Sequence, residues 1–142
     1  MICVMDEAAL DRFLQDEFPQ ATGDYRIDGL TEAGIRMVLP AAPRHVRPGG
    51  TIAGPAMFGL VDVSMYLAIL ARIGPQALAV TTNATIDFMR KPDAARDLVC
   101  ECELLKLGRV LAVGSCLLYG AGIEAPVARA SLTYSIPPKS MG

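Results

Sequence analysis

The chain has 142 residues, a formal net charge of -2, and a composition that is 52% hydrophobic and 20% charged. Such a chain can bury enough apolar surface to fold, which excludes intrinsic disorder and predicts a single domain over residues 1–142. The balanced charge, the absence of tryptophan and the scatter of four Tyr and four Phe residues exclude the basic surface and aromatic platforms of a nucleic-acid-binding protein.

The cysteines predict buried, reduced thiols in a cytoplasmic protein. Their spacing contains no CxxC pair and no Cys/His ligand set, so neither a disulfide framework nor a bound metal is expected. The four residues are Cys3, Cys100, Cys102 and Cys116.

Before residue 50, the sequence predicts one helix, two strands and a loop. An amphipathic pattern over residues 6–18 predicts a short N-terminal helix that Pro19 ends. Residues 24–30 and 34–39 predict two short strands joined by a polar turn. Residues 40–50, which contain several prolines and glycines, predict a loop.

A nearly continuous apolar segment, residues 51–71, predicts the principal helix. Its length matches a membrane span, but Asp62 lies near its middle, where a carboxylate in lipid would cost about 3 kcal/mol. The segment therefore predicts a helix buried in a protein core, and no membrane partner is expected. Pro55 suits the first turn of a helix that begins near Gly54, and the Gly74-Pro75 pair would end it.

The C-terminal half predicts four strands, over residues 77–89, 98–105, 110–119 and 125–136. Alternation in the first of them places Thr81 and Asn83 together on its polar face. One long buried helix, preceded by two strands and followed by four, predicts an α+β fold in which an antiparallel sheet wraps around a central helix.

Asp62 is the residue that most strongly indicates chemistry. It is the sole charged residue between Arg47 and Arg72, and burying a carboxylate without partners is costly. Two interpretations remain open: nearby hydroxyls such as that of Ser64 satisfy the carboxylate, or it is a general base or nucleophile in an apolar pocket. The only histidine, His45, has no evident partner and is interpreted as a loop residue, and no dinucleotide or P-loop motif predicts a resident cofactor.

Three short motifs follow one another in the chain: Gly-Thr-Ile-Ala-Gly-Pro at residues 50–55, Leu-Val-Asp at residues 60–62 and Thr-Ile-Asp-Phe-Met-Arg at residues 85–90. In order and spacing the chain resembles the hotdog-fold acyl-CoA thioesterases of the phenylacetate-pathway (PaaI) type, from about residue 25 to residue 134. The resemblance implies a hotdog fold and hydrolysis of acyl-CoA at the interface of a homodimer, two of which form a homotetramer as a dimer of dimers.

The same family carries an Asn six residues before a His-Gly-Gly sequence, and a carboxylate on the central helix. This chain has Arg47 in place of the Asn, Ala53 in place of the His and Pro55 in place of the second Gly, while Gly54 and Asp62 are retained. The resemblance implies that hydrolysis would depend on the two retained residues, Gly54 and Asp62.

Gly54 and Asp62 cannot act on one thioester within one chain, because eight residues of helix separate them by about 12 Å. In a two-fold dimer, Gly54 of one chain can face Asp62 of the other, which gives two equivalent sites. There the Gly54 N–H would stabilise the oxyanion, and Asp62 would activate a water or attack the carbonyl directly. Thr81 and Asn83 would hold the water.

Coenzyme A carries phosphates, so cations are expected at the rim of the site. The candidate cations lie at strand ends, in the predicted hairpin turn or in the loop before the helix: Arg47, Arg90, Lys91, Lys106 and Arg109. Gly108, in the same turn, is assigned to the same binding site. Hydrolysis of a hydrophobic or aromatic acyl-CoA is the leading hypothesis. The alternative is a non-catalytic protein that binds acyl-CoA or another small ligand, and a third is a hotdog dehydratase, which would need His45 beside a carboxylate.

Overall fold

The computed structural model describes residues 2–19 and 23–138. In chain order, the elements are α1 (Glu7–Glu17), β1 (Arg26–Leu30), β2 (Gly34–Leu39), a 3-10 helix (Pro43–His45), β3 (Val46–Arg47), β4 (Thr51–Ile52), α2 (Gly54–Ile73), β5 (Val80–Phe88), β6 (Leu98–Leu107), β7 (Leu111–Gly120) and β8 (Ala128–Ser135). An antiparallel sheet has the order β1-β2-β6-β7-β8-β5, and β3 pairs with β4 in a separate hairpin.

These elements confirm the predicted α+β arrangement of a sheet around one long helix. The prediction for residues 34–39 matches β2 at both ends, whereas β5 and β8 are shorter than predicted and β6 extends further into the hairpin. The prediction that residues 40–50 form only a loop is wrong, because this segment contains the 3-10 helix and β3. Two residues of strand are too short for an alternating pattern to show in the sequence.

Helix α1 begins at a polar cap and packs with one face. The Asp6 carboxylate accepts a hydrogen bond from the Ala9 N–H at 2.8 Å, which satisfies one of the free donors of the first turn. Leu10 and Leu14, four residues apart, are the buried side chains of the helix. The amphipathic pattern in the sequence therefore predicted this helix correctly.

Helix α2 forms the centre of the core. Its first residues follow an extended Ala53, Pro55 lies in the first turn, and the helix ends at Gly74, whose φ of 92° favours glycine. Residues 64–72 are all buried against the sheet. The helix is long and apolar enough to cross a membrane, but 67% of the relevant window is buried inside the protein, as expected for a core helix.

The N-terminal half of α2 is less buried than the sequence predicts. Pro55 and Phe58 are exposed, and Gly59 and Asp62 are partly exposed. Positions that differ by three, four and seven residues share one side of a helix. One side of α2 therefore remains uncovered by its own sheet along the first half of the helix, and Asp62 lies on it.

Backbone oxygens accept hydrogen bonds from both terminal nitrogens of Arg72, the one charged side chain in the buried half of α2. Arg72 donates to the carbonyls of Gly34 at 3.0 Å, Ala68 at 3.1 Å and Thr31 at 2.8 Å. The carbonyls of Gly34 and Thr31 belong to the turn between β1 and β2, so the guanidinium ties that turn to the end of the helix. Multiple hydrogen bonds reduce the cost of burying this charge.

The thiols of the central strands are buried, as predicted. Cys102 and Cys116 are cross-strand partners on β6 and β7, and Cys100 lies two residues away on the same face. The neighbouring thiols of Cys100 and Cys102, together with burial, raise the pKa of Cys116. Cys3 differs from the other three because it is only partly buried.

Two glycines allow close approach in the core. A Cβ at Gly114 on β7 would lie 2.5 Å from Met65 Sδ, so the absence of a side chain lets α2 settle on the sheet. A Cβ at Gly34, the first residue of β2, would overlap the backbone carbonyl of Cys102. Because a backbone carbonyl within a sheet cannot move aside easily, Gly34 is required for the register of β2 with β6.

We expect Gly34→Ala to lower the free energy of unfolding by about 1–3 kcal/mol or more, because the added methyl overpacks a fixed strand pair. The matched control is Gly29→Ala on β1, where a Cβ has no atom within 4 Å and the change should alter stability by less than about 1 kcal/mol. Urea unfolding of both variants is the measurement. Equal stability of the two variants would contradict this role of Gly34.

Candidate functional site

The uncovered side of α2 forms one wall of a cavity of about 400 Å³. α1 and the segment before β1 supply a second wall, and β5 and β8 supply a third. The lining residues are Leu14, Phe18, Tyr25, Gly59, Asp62, Val63, Tyr66, Ala79, Val80, Thr81 and Tyr134. The lining is mainly apolar and aromatic, with one carboxylate and several hydroxyls, which is the composition typical of a small-molecule site.

Two hydroxyls from neighbouring strands hold the Asp62 carboxylate. Thr81 Oγ1 and Tyr134 OH both donate to Asp62 Oδ1, the latter at 2.8 Å. Tyr134 OH also lies 3.0 Å from the backbone oxygen of Asp62. Ser64, which the sequence suggested as a partner, instead donates to the carbonyl of Leu60 at 2.6 Å. Hydrogen bonds therefore stabilise the carboxylate, and the same residue lines a cavity.

The cavity raises the pKa of the phenols around the carboxylate. Burial, followed by the charge of Asp62, raises the pKa of Tyr134 well above its usual range. Burial and the nearby Glu17 raise the pKa of Tyr66 to about 12. Burial also raises the pKa of Tyr25, with smaller contributions from Asp24 and Asp62. All three phenols therefore stay protonated at neutral pH and can act as hydrogen-bond donors.

Tyr25 lies directly against the helix one turn before the carboxylate. A Cβ at Gly59 would overlap the Tyr25 hydroxyl, whereas the ring carbon Cζ would be 3.5 Å away, an ordinary contact. Gly59 precedes Asp62 by three residues and so shares its side of α2. The missing side chain at position 59 is what admits the Tyr25 hydroxyl to this wall of the cavity.

The prediction that Thr81 and Asn83 share a face is wrong. A β-bulge lies between them, so that Thr81 pairs with Tyr134 while Asn83 pairs with Thr133. Cross-strand partners point to the same face of a sheet, and Tyr134 points inward to Asp62. Thr81 therefore lies inside the cavity, whereas Asn83 is exposed on the outer face. A single extra residue cannot be recognised from alternation alone.

Gly54 lies at the start of α2, away from the cavity that Asp62 lines. Ala53 before it is extended, with φ of -67° and ψ of 141°. In the part of the chain that the structure describes, no group accepts a hydrogen bond from the Gly54 N–H. The nearest side chain to a Cβ built there is the ring of Phe88 at 3.6 Å, at the last residue of β5. The Gly54 N–H is thus a free donor at the positive end of the helix dipole.

The predicted cations do not form one cluster within a chain. Arg90 and Lys91 follow Phe88 and so lie at the end of the sheet that also holds Gly54. Lys106, Gly108 and Arg109 belong to the β6–β7 hairpin, at the opposite end, where β7 and β8 meet the beginning of β5. Within one chain, the register therefore separates the two groups by the length of β5, and the expected rim of cations stays a prediction for a site shared by two chains.

Arg47 and His45 lie apart from the cavity. Arg47 is exposed on β3, beside an open depression that Pro43, Val46 and Ala94 also line. His45 Nε2 lies 3.9 Å from the carboxylate of Asp24 and is bonded to no residue in the described ranges. His45 does not line the cavity of Asp62. Among the described residues, no group of three His, Cys, Asp or Glu side chains could hold a metal ion.

Three residues at the cavity were not predicted from the sequence: Tyr25, Gly59 and Tyr134. The sequence does contain a signal for Tyr134. It is a large residue with a hydroxyl, in the last strand of the sheet that packs on the helix carrying Asp62. Tyr25 and Gly59 have none, because neither lies near Asp62 in a pattern that spacing reveals. Their meeting depends on how the segment before β1 crosses α2.

Comparison with known families identifies the class of protein. The profile of the thioesterase superfamily matches residues 49–127. A crystal structure of a proposed thioesterase from Silicibacter sp. is 55% identical, with a TM-score of 0.91 over 97% of this chain and 96% of that one. The chain therefore belongs to the thioesterase superfamily. A search of curated proteins finds no match.

More distant structures share the fold. A thioesterase protein from Streptococcus pneumoniae, solved with coenzyme A, is 18% identical with a TM-score of 0.78 over 92% of this chain and 98% of that one. A mutant of the phenylacetic acid degradation protein PaaI from Thermus thermophilus is 20% identical with a TM-score of 0.72, over 84% of this chain and 99% of that one. The fold is the hotdog fold, which confirms the resemblance found in the sequence.

We expect Gly59→Ala to destabilise the protein by about 1–3 kcal/mol, because the new methyl overlaps the Tyr25 hydroxyl. Tyr25→Phe removes that oxygen and should restore much of the loss, with a coupling energy of about 1 kcal/mol or more. Urea unfolding of the wild type, both single variants and the double variant measures the coupling. Additive effects would contradict the contact between residues 25 and 59.

Proposed function

We propose that the protein hydrolyses acyl-CoA thioesters, with Asp62 as the general base or nucleophile. The observation that carries the proposal is a carboxylate on the central helix of a thioesterase-superfamily chain, held by two hydroxyls at the wall of an apolar cavity. An apolar wall strengthens the electrostatic interactions of a charged group. A positioned carboxylate in such a place is suited to proton transfer or attack.

The reaction needs an electrophile activator as well as a base. The N–H of Gly54 is a free donor at the start of α2 and would donate to the thioester oxygen as negative charge develops there. Asp62 would take a proton from a water whose oxygen attacks the carbonyl carbon. The C–S bond then breaks, and the thiolate of coenzyme A leaves and takes up a proton. Direct attack by Asp62 on the carbonyl carbon would instead break the C–S bond, release the thiolate and give an anhydride, which a water hydrolyses to the same acid and the free carboxylate of Asp62.

A two-fold dimer would bring the two groups together. β5 is an edge strand, with Val80 54% exposed at its beginning and Phe88 58% exposed at its end. An uncovered edge of this kind is a template for pairing with another strand. Antiparallel pairing of β5 with β5 of a second copy would place the Gly54 end of one chain beside the Asp62 end of the other.

The same pairing would unite the separated cations. Arg90 and Lys91 of one chain lie at the Gly54 end, whereas Lys106 and Arg109 lie at the opposite end of the sheet. Antiparallel pairing exchanges the ends, so each site would receive one group from each chain. Exposed cations at the mouth of a site suit the phosphates of coenzyme A. The Streptococcus pneumoniae relative, which has the same fold, was solved with coenzyme A.

The cavity favours a compact apolar acyl group. Phe18, Tyr25 and Tyr66 supply aromatic rings, and Leu14 and Val63 supply aliphatic surface. Such a lining suits a hydrophobic or aromatic acyl chain rather than a charged one.

We further expect the dimers to associate into tetramers, and the protein to act in the cytoplasm.

The departures at Arg47 and Ala53 favour one alternative, a protein that binds acyl-CoA without hydrolysing it. A charged and an apolar residue occupy places where the resemblance calls for Asn and His. Calorimetry with acyl-CoA esters, combined with an assay of free thiol, separates the two functions. Binding without thiol release would support the alternative.

We expect Asp62→Ala to lower the rate of thiol release from acyl-CoA esters by about a hundredfold to ten-thousandfold, because the group that activates the nucleophile is lost. The matched control is Asp16→Ala, which removes an exposed carboxylate on α1. A panel of aliphatic and aromatic acyl-CoA esters, assayed by thiol detection, gives the measurement. Equal rates for the wild type and Asp62→Ala would remove Asp62 from the mechanism.

We expect two inactive variants to restore each other only when they form a mixed dimer. Gly54→Pro removes the N–H at a position that tolerates proline, and the extended Ala53 before it is compatible. A mixed dimer of Asp62→Ala and Gly54→Pro has one intact site of two, so random mixing should restore about a quarter of the wild-type rate. Gly54→Ala, which keeps the N–H, is the control.

The mixing experiment also tests the dimer itself. Each variant alone should form dimers by sedimentation, and the activity should appear only after subunit exchange. Absence of recovery in a demonstrated mixed dimer would contradict a site shared between two chains.

A further inference from the structure

We infer that Tyr134 is a positioning residue that, together with Thr81, fixes Asp62 so that only its Oδ2 oxygen reacts. The inference rests on the proposed function of Asp62. It concerns a residue that bonds to the carboxylate, and it assigns different tasks to the two carboxylate oxygens.

Both hydrogen bonds to the carboxylate end on the same oxygen. Thr81 Oγ1 and Tyr134 OH donate to Oδ1, and no residue in the described ranges donates to Oδ2. A carboxylate oxygen that accepts two hydrogen bonds has spread much of its charge onto its donors and is a poorer base than one that accepts none. The asymmetry leaves Oδ2 as the oxygen available to a water or a thioester carbon.

The two donors form a rigid pair. Thr81 and Tyr134 are direct cross-strand partners on β5 and β8, so the sheet itself sets the separation of their hydroxyls. The bulge after Thr81 shifts the register of β5 against β8 at this point, and bulges commonly redirect a side chain beside a functional site. Neither donor lies on the helix that carries Asp62, so both fix the helix side chain from outside.

Tyr134 also fixes the Asp62 carboxylate relative to the backbone of Asp62. Its hydroxyl lies 2.8 Å from Asp62 Oδ1 and 3.0 Å from the Asp62 carbonyl oxygen, so it bridges the side chain and main chain of one residue. The Tyr134 side chain is buried in the core and packs 6.3 Å from the ring of Tyr66, measured between centroids. A buried ring with a single hydroxyl at its tip restricts the rotation of the Asp62 side chain.

The geometry predicts losses in turnover rather than in substrate binding. Tyr134→Phe keeps the ring and removes only the hydroxyl, and should lower kcat by about ten- to hundredfold, the worth of a hydrogen bond to a charged group. KM should change little, because the hydroxyl is bonded to Asp62. Thr81→Ser keeps a hydroxyl and should retain most of the activity, whereas Thr81→Val, of nearly equal shape, should lose it.

The decisive experiment repeats Tyr134→Phe in an Asp62→Asn background and measures kcat and KM for the acyl-CoA ester that the wild type cleaves best. A residue that acts through the carboxylate should have no further effect once the carboxylate is gone. An equal fold-loss in both backgrounds would indicate a merely structural role and overturn the inference. Where the residual rate is too small to measure, the comparison of Thr81→Ser with Thr81→Val decides, since a loss in both or in neither contradicts it.

The possible failures are distinguishable. A wild type that releases no thiol from any ester overturns the proposed function and the inference with it. An active wild type with an inactive Asp62→Ala, but with Tyr134→Phe at the wild-type kcat, overturns the inference alone. Urea unfolding and circular dichroism of each variant establish that a lost rate is not a lost fold.

Discussion

The structure depends on how one carboxylate is accommodated in an apolar helix. An isolated charge in this position would be costly, and α2 offers it no partner of its own, because the nearest hydroxyl on the helix, that of Ser64, bonds to Leu60. The compensation comes from the sheet, through Thr81 and Tyr134. The sheet must therefore close around the helix in one register, and that register also defines the cavity.

The closure leaves one part of the helix uncovered. Residues 64–72 are all buried, but the side of α2 that carries Phe58 and Asp62 is only partly covered by the sheet, although β5 and β8 supply the two hydroxyls that bond to Asp62. β5 ends the sheet at the same place, with Val80 and Phe88 exposed. The exposed edge of β5 and the exposed side of α2 lie side by side. A contact that covers both would stabilise the protein, because it removes an open strand edge and apolar surface from water. The proposed dimer does so while completing the site.

Small residues decide how closely the layers approach. Gly114 admits Met65 of α2 to the sheet, and Gly59 admits the Tyr25 hydroxyl to the helix. The first contact sets the depth at which the helix lies, and the second brings a phenol into the cavity that Asp62 lines. Packing of this density leaves little tolerance for an added methyl group. Core and site are thus constrained by the same kind of contact.

The sequence by itself determined the two helices, the strands of the six-stranded sheet and the acid. Continuous hydrophobicity fixed α2, alternation located the sheet strands, and the isolation of Asp62 among apolar residues marked the candidate site, because these signals are local. The tertiary structure alone decided which hydroxyls meet Asp62, that Asn83 points outward, and that Arg90 and Lys106 lie at opposite ends of one chain. Those facts follow from strand register and one bulge, and register is set by pairing between distant segments that no local pattern records.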